Sequence, residues 1–221
     1  TGLMNRRAFD DALSFQVEQG SGPFALMMID VDHFKSLNDQ HGHPAGDQVL
    51  CGVSSRLEAL LAGQGMVARY GGEEFAVIIP AIDAAGAQQI AERLRFAVAA
   101  SPFSYEHTSL ALSVSLGATL VIQGDDAMAA FKRSDEALYT AKRSGRNCAY
   151  FHDGKHCRRI EHDPEPSALP AGPAALNAPP PTPAGKPGPS SAARDDNFDD
   201  LSADLHRRMM EVAGNGHGPT P

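Results

Sequence analysis

Acidic and amide side chains form three clusters in the first half of the chain. The clusters are Asp30 with Asp32, Asn38 with Asp47, and Glu73 with Glu74. The first cluster ends an apolar run, where a carboxylate costs free energy unless it is paired or bound to a cation. The last contains two adjacent carboxylates that repel each other. Because Mg²⁺ prefers one or two carboxylates together with substrate phosphates, the clusters predict a metal site that handles a phosphorylated substrate.

Three cations complement these acids. Lys142 and Arg146 are four residues apart, a spacing that predicts both on one face of the last turn of a helix. Together with Lys35 they are suited to clamp a polyphosphate, since arginine offers forked hydrogen bonds and lysine a point charge. The amides around Phe34 are predicted to open a short helix, whose N-terminus favours phosphate. Each cluster alone is typical of a solvated surface, so the prediction rests on their combination.

The elements that must position these residues follow from the apolar spacing. Helical spacing predicts helices over residues 5–18, 43–62, 83–100 and 126–144. Apolar or alternating runs predict strands over 24–31, 109–122 and 148–151, the second broken at Gly117. Residues 66–80 predict a β-hairpin whose turn, Gly71-Gly72, needs positive φ. Strands that alternate with helices indicate an α/β (α+β) fold with a central sheet.

Proline content divides the chain of 221 residues. Twelve of the 16 prolines follow residue 160, so we expect one compact domain over residues 1–154. Residues 155–221 are expected to form a disordered Pro/Ala-rich tail, because their apolar surface is too small to offset the entropy of ordering. Helical spacing within the tail favours a short helix over 198–212, which is marginal by itself in water.

Composition and charge exclude several classes of protein. A net charge of −8 argues against a nucleic-acid partner, since such proteins usually carry a basic surface. The longest apolar run, Phe24–Ile29, is far shorter than the ~18 residues of a membrane span, so we expect no membrane contact from this segment. Three cysteines without a C-x-x-C pair indicate a reducing compartment. Because the first residue is Thr, we expect a region upstream.

Six blocks in order along the chain resemble the GGDEF family, in its GGEEF form. The signature is Gly71-Gly72-Glu73-Glu74-Phe75. The other blocks are Thr1–Arg7, Asp30–Lys35 with Asn38-Asp39, His41–Asp47, Ser113–Gly117, and Ala137–Tyr139 with Ala141-Lys142 and Gly145–Asn147. The resemblance covers residues 1–152, and six ordered blocks are far more specific than the signature alone.

The resemblance implies a diguanylate cyclase, which condenses two GTP into cyclic di-GMP, releases two pyrophosphates and serves bacterial signalling in biofilm and motility control. It implies a fold like that of class III nucleotidyl cyclases and polymerase palm domains, with a central five-stranded sheet surrounded by helices. Each domain would hold one GTP, so catalysis would need a homodimer. A sensory or receiver domain would precede Thr1, and the catalytic domain would lie in the cytoplasm, even behind a membrane-anchored sensor.

Metal ligands follow from the same resemblance. Asp30, Glu73 and the carbonyl of Val31 would ligate two Mg²⁺, for which Mn²⁺ can substitute, with Glu74 as a candidate further ligand. Glu73 would also be the general base for the 3′-hydroxyl, whose pKa falls on coordination to a metal. Two metals can activate the attacking oxygen and stabilise the leaving pyrophosphate.

Guanine would be bound by Asn38 and Asp47. The N1–H and N2–H₂ groups lie on one edge of guanine, so the Asp47 carboxylate accepts from both, whereas an adenine edge would leave it unpaired.

The phosphates would be held by the amide of Phe34 and by Lys35, Lys142 and Arg146. At Gly71 and Gly72, a side chain would resist the turn and crowd the nucleotide.

Two other functions remain open on the sequence. One is a catalytically silent module that binds GTP and regulates a partner, although damage to the signature, which usually marks such members, is not present here. The other is a cyclase on the same palm that makes a mixed or adenine-containing product, against which Asp47 argues.

The resemblance also predicts weak product inhibition. Many members of the family carry an inhibitory R-x-x-D site five residues before the signature, and the four matching positions here are Ala62-Gly63-Gln64-Gly65. We therefore expect cyclic di-GMP to inhibit the initial rate little through this route. Submicromolar inhibition that no substitution within residues 62–65 abolishes would contradict this prediction.

Overall fold

Helices and strands alternate along the part of the chain that the structure, a computed structural model, describes: residues 1–20, 22–61 and 63–161. In chain order the elements are β1 (Met4–Asn5), α1 (Arg6–Gln19), β2 (Phe24–Val31), α2 (Phe34–His41), α3 (His43–Leu61), β3 (Met66–Arg69), β4 (Glu74–Pro80), α4 (Ala84–Ala99), β5 (Phe103–Tyr105), β6 (Thr108–Leu110), β7 (Val114–Val121), α5 (Ala127–Arg143), β8 (Ala149–His152) and β9 (Cys157–Arg159). The alternation confirms the predicted mixed α/β class.

One central sheet has the strand order β1-β3-β4-β2-β7-β8-β9 within the described ranges. Strand β2 is antiparallel to both of its neighbours, β4 and β7, while β8 runs parallel to β7. The five central strands have four or more residues each and correspond to the predicted five-stranded sheet. Strands β1 and β9, of two and three residues, extend it at the edges, and β5 and β6 form a separate ribbon.

Strand β2 lies in the middle of the sheet because both of its faces are apolar. All eight of its residues are buried, which is typical of a strand that is covered on both sides. Ala25, Met27, Ile29 and Val31 belong to the core cluster that includes the apolar faces of α3 and α4. The alternate residues lie on the other face, and Asp30 ends that row.

Predicted and observed boundaries agree closely for the long elements. Strand β2 has the predicted bounds, and helices α1, α3, α4 and α5 begin and end within two residues of prediction. The short helix expected near Phe34 is α2. The short strands β1, β5 and β9 have too few residues for a periodic signal, and the sequence did not predict them.

The strand predicted over 109–122 is two strands. Strand β6 pairs with β5 in the ribbon, and β7 begins at Val114 in the central sheet. Gly117 does not break β7 but lies inside it. A Cβ atom at Gly117 would overlap the backbone nitrogen of Leu138 and the carbonyl oxygen of Ser134, so this glycine allows α5 to approach the sheet closely.

The signature lies on a hairpin, but its glycines do not have the predicted positive φ. Neither Gly71 nor Gly72 is among the described residues with positive φ. The connection between β3 and β4 runs from Tyr70 to Glu73, and the amides of Tyr70 and Gly71 both donate to the carbonyl of Glu74. A loop of this length does not require the primed turn that a two-residue hairpin needs.

Packed structure continues beyond residue 154, where we expected the domain to end. Strand β9 follows that residue, and Ile160 is buried in the core cluster with its amide bonded to the carbonyl of Ala149. The predicted helix over 198–212 and most of the predicted tail lie outside the described residues. Among the residues described, no helix has the length and apolar character needed to cross a membrane.

A Gly117→Ala substitution should destabilise the domain by about 3 kcal/mol, because the added methyl group meets backbone atoms of α5 that cannot move independently. Urea unfolding followed by circular dichroism measures the change. Gly72→Ala is the matched control, since its Cβ would meet nothing within 4 Å, and we expect a change within about 0.5 kcal/mol. Equal stabilities of the two variants would show that α5 does not depend on this close approach.

Candidate active site

Pairing between β2 and β4 brings the first and third acidic clusters together. Asp30 lies directly opposite Glu74 in the register, so the two side chains leave the sheet on the same face. Asp30 is 5% exposed and Glu74 is 8% exposed. One residue further on, the amide of Val31 donates to the carbonyl of Glu73 at 3.2 Å. The signature hairpin is therefore fixed against the end of β2.

Lys142 of α5 supplies a positive charge to this pair. Its Nζ lies 2.7 Å from Oδ2 of Asp30. Burial nevertheless raises the pKa of Asp30 above its usual value, with Lys142 opposing the shift. Burial also raises the pKa of Glu74, and the negative charge of Asp30 adds to that shift. One ammonium group thus does not fully compensate two buried carboxylates, and the donor set fits a divalent cation.

A third acid lies on the same helix as Lys142. Burial raises the pKa of Asp135 to about 6, with Lys142 opposing the shift, and the charge of Asp135 contributes to the raised pKa of Glu74. The sequence did not single out Asp135, because an acid within a helix gives no signal until packing buries it.

Gly71 makes room for the Glu74 carboxylate. A Cβ atom at Gly71 would overlap Oε2 of Glu74, while Gly72 is exposed and its Cβ would meet nothing within 4 Å. The absence of a side chain at Gly71 therefore makes room for a carboxylate and is not needed for the conformation of the turn. In the same hairpin, the guanidinium of Arg69 donates to the carbonyl of Gly72, at 2.7 Å from Nη2.

The second cluster lies where α2 meets α3. The Oδ1 atom of Asn38 is buried and accepts no hydrogen bond from the described residues. A Cβ at Gly46 would overlap that atom, so Asn38 packs directly on α3 one residue before Asp47, which is exposed. A buried acceptor without a donor beside an exposed carboxylate is an arrangement that a bound base with N–H groups would complete.

The start of α2 is built on a tight turn after β2. His33 precedes the helix with φ of 58°, Phe34 is buried, and Lys35 is exposed. Asp32, which the sequence grouped with Asp30, has a different environment: it accepts hydrogen bonds from the hydroxyls of Ser113 and Ser115, each at 2.6 Å.

The spacing predicted that Arg146 and Lys142 share one face of a helix, but in the structure they do not. Helix α5 ends at Arg143, and Arg146 lies beyond it with φ of 62°, because Gly145 with φ of 106° turns the chain out of the helix. The positive charge of Arg146 still acts on Asp30 and lowers its pKa in opposition to burial. The charges of the two cations therefore act on the same carboxylate from different elements.

A further cluster, Glu136, His152 and Cys157, has ligand atoms within 4.8 Å of one another. The Nδ1 atom of His152 accepts a hydrogen bond from the amide of Gly154 at 3.0 Å. The neutral ring therefore carries its proton on Nε2, the atom that faces Oε2 of Glu136 at 3.6 Å. A protonated nitrogen has no lone pair for a metal ion, so in this geometry His152 does not offer Nε2 as a ligand.

Comparison with known proteins identifies the family. The family described as "Diguanylate cyclase, GGDEF domain" matches residues 1–148. Diguanylate cyclase DgcP of Pseudomonas aeruginosa is 41% identical over 150 residues, which are 66% of this chain and 22% of that protein. Response regulator PleD of Caulobacter vibrioides is 42% identical over 153 residues, which are 66% of this chain and 34% of that protein. The chain thus spans only about a third or less of these relatives.

Solved structures agree with the family match. The GGDEF domain of DgcB from Caulobacter crescentus, in complex with c-di-GMP, is 36% identical, with a TM-score of 0.65 over 71% of this chain and 94% of that one. The active GGEEF domain of a diguanylate cyclase from Vibrio cholerae is 33% identical, with a TM-score of 0.61 over 68% of this chain and 98% of that one. Together, these observations define a class of α/β domain in which paired acids lie at a glycine hairpin. This chain belongs to the GGDEF domain family, which confirms the resemblance.

A Lys142→Met substitution should destabilise the metal-free domain by about 2 kcal/mol, because it removes the ion-pair partner of the buried Asp30 carboxylate. In an Asp30→Asn background the same substitution should cost much less. Urea unfolding of the unsubstituted domain, the two single variants and the double variant gives the coupling free energy between Lys142 and Asp30. Lys132 is an exposed lysine of the same helix, so Lys132→Met is the control and should change stability little. If Lys142→Met destabilised the domain equally with Asp30 and with Asn at position 30, the pairing of Lys142 with Asp30 would be contradicted.

Proposed function

We propose that this chain is a diguanylate cyclase, which joins two GTP into cyclic di-GMP and releases two pyrophosphates. The observation that carries the proposal is the direct pairing of Asp30 with Glu74 beside Lys142. Buried acids that one lysine does not fully compensate suit a site that receives a metal and a triphosphate together. The names of the related proteins support the same activity.

Metal dependence is a general property of the family, and we propose Mg²⁺ as the metal, with Mn²⁺ as a substitute. Asp30, Glu73 and the carbonyl of Val31 would hold two ions, with Glu74 as a further ligand. When bound, the ions would lower the pKa of the attacking hydroxyl and neutralise charge on the leaving pyrophosphate. The first and third acidic clusters lie at the end of β2 and at the start of β4, and the pairing of these two strands fixes the spacing between the clusters.

Base recognition is assigned to Asn38 and Asp47. The buried Oδ1 of Asn38 lacks a donor among the described residues, and a guanine amino group would supply one. The exposed carboxylate of Asp47 would accept from N1–H and N2–H₂. Adenine offers no such pair of donors on that edge, so the arrangement favours GTP over ATP.

The phosphates would be held from two sides. The amide of Phe34 and the side chain of Lys35 lie at the start of α2, while Lys142 and Arg146 come from the end of α5 and the loop after it. Gly71 and Gly72 would keep the hairpin free of side chains next to the nucleotide. Glu73 would accept the proton of the 3′-hydroxyl as general base.

Because each domain would bind one GTP, we propose that catalysis takes place in a homodimer. A sensory or receiver domain in the same protein would control how the two half-sites meet. We place the reaction in the cytosol, since that is where GTP is held. The division into a cyclase domain and a Pro/Ala-rich tail is part of the same proposal.

Incubation of the protein with GTP and Mg²⁺ tests the proposal directly. Chromatography should resolve cyclic di-GMP and pyrophosphate, and ATP should give no product. The rate per chain should rise with protein concentration, because two chains form one catalytic unit. GTP binding without turnover in a protein shown to dimerise would instead indicate a silent nucleotide-binding module.

A Glu73→Gln variant should lose turnover by roughly 10²- to 10⁴-fold, the usual contribution of a general base, while its unfolding curve stays close to that of the unsubstituted chain. The matched control is Glu58→Gln, an exposed acid on α3, which should keep full activity. Unchanged turnover of Glu73→Gln would remove Glu73 from the mechanism.

A further inference from the structure

A buried carboxylate connects three segments around the candidate site. Asp32 is 2% exposed and, in addition to the two serine hydroxyls, accepts a hydrogen bond from the backbone N–H of Asn147 at 3.0 Å. Ser113 directly precedes β7, Ser115 is its second residue, and Asn147 follows α5. The end of β2, the start of β7 and the loop after α5 are therefore held by one side chain.

Helix α4 reaches the same network from outside the site. Nη1 of Arg95 donates to the side-chain carbonyl of Asn147 at 2.5 Å. Arg95 is itself oriented by Glu92, which accepts from Nε at 2.9 Å and from Nη2 at 2.5 Å. Both edges of the guanidinium are thus engaged, and its direction is fixed in a way that a lysine could not reproduce.

The loop that Arg95 supports has an unfavourable backbone. Gly145, Arg146 and Asn147 have successive φ values of 106°, 62° and 45°. Asparagine tolerates the left-handed region, but for arginine it costs free energy, and such conformations persist only where neighbouring contacts hold them. Here the amide of Arg146 is bonded to the carbonyl of Ala141 at 3.2 Å, and the next residue is held by the bonds to Asp32 and Arg95.

We propose that Arg95 is a positioning residue for the triphosphate: through Asn147 it fixes the backbone of Arg146 and so directs that guanidinium toward the phosphates. This inference rests on the proposed function, in which Arg146 is a phosphate ligand. Arg95 acts at one remove, because its own hydrogen bonds go to Glu92 and Asn147. It also lines an open pocket of about 280 Å³, so the shorter methionine side chain widens an existing pocket.

A double-mutant cycle between Arg95 and Arg146 tests the proposal. Calorimetry with Mg²⁺ measures the affinity of the full chain for guanosine 5′-[α,β-methylene]triphosphate, whose α–β bond cannot be cleaved. We expect Arg146→Met to weaken binding by roughly tenfold, as for the loss of a charged hydrogen bond, and Arg95→Met by roughly fivefold. The double variant should lose roughly tenfold, rather than the roughly fiftyfold product expected of independent sites.

Two controls separate positioning from general loosening of the domain. Affinity for guanosine, which has no phosphates, should be the same in all variants. Arg93→Met, an exposed cation of the same helix, should bind the analogue as tightly as the unsubstituted chain. If Arg95→Met does not fold, Asn147→Ala, which removes the side-chain acceptor but keeps the backbone N–H, takes its place in the cycle.

An additive cycle, or an equal loss of affinity for guanosine, would overturn the inference. Failure of the proposed function would give a different experimental result. If the analogue binds and the cycle is non-additive but GTP is not turned over, the assignment as a cyclase fails while the role of Arg95 stands. Absence of binding by the unsubstituted chain would overturn both.

Discussion

The site depends on the pairing of β2 with β4, which forces two carboxylates together in a place with little solvent. Asp30 and Glu74 are opposite each other in the register, and each has a pKa raised chiefly by burial. Such an arrangement is stable only because the other residues of both strands are apolar and, apart from Pro80 at the end of β4, buried. Lys142 compensates part of the charge. The rest of the sheet thus supplies the free energy that keeps two incompletely compensated acids buried.

Close approach between elements is the second requirement, and glycines meet it. Gly117 lets α5 approach β7, and this is the helix that carries Lys142. Gly71 leaves space for the Glu74 carboxylate. At Gly117 an added methyl group would meet backbone atoms of α5, and at Gly71 it would displace the Glu74 carboxylate. These glycines therefore act through packing rather than through backbone freedom.

Two acids separated by one residue have different environments. Asp30 contacts a lysine, whereas Asp32 is satisfied by two hydroxyls and an amide. Asp32 thereby joins the end of β2 and the start of β7 to α4 through Asn147 and Arg95. The backbone beside the candidate site is thus held partly by residues that lie outside the site.

The sequence by itself determined the mixed α/β class, the bounds of β2 and, within two residues, those of the four long helices, because apolar periodicity is a local signal. The acids and cations that it names for the site stay a prediction. It did not determine the split between β6 and β7, the strand after residue 154, the ordinary φ of Gly71 and Gly72, or the exit of Arg146 from α5. Nor did it separate Asp32 from Asp30 or single out Arg95 and Asp135. Those features depend on contacts between residues far apart in the chain, such as the hydrogen bond from Asn147 to Asp32, and only the tertiary structure fixes which partner each side chain meets.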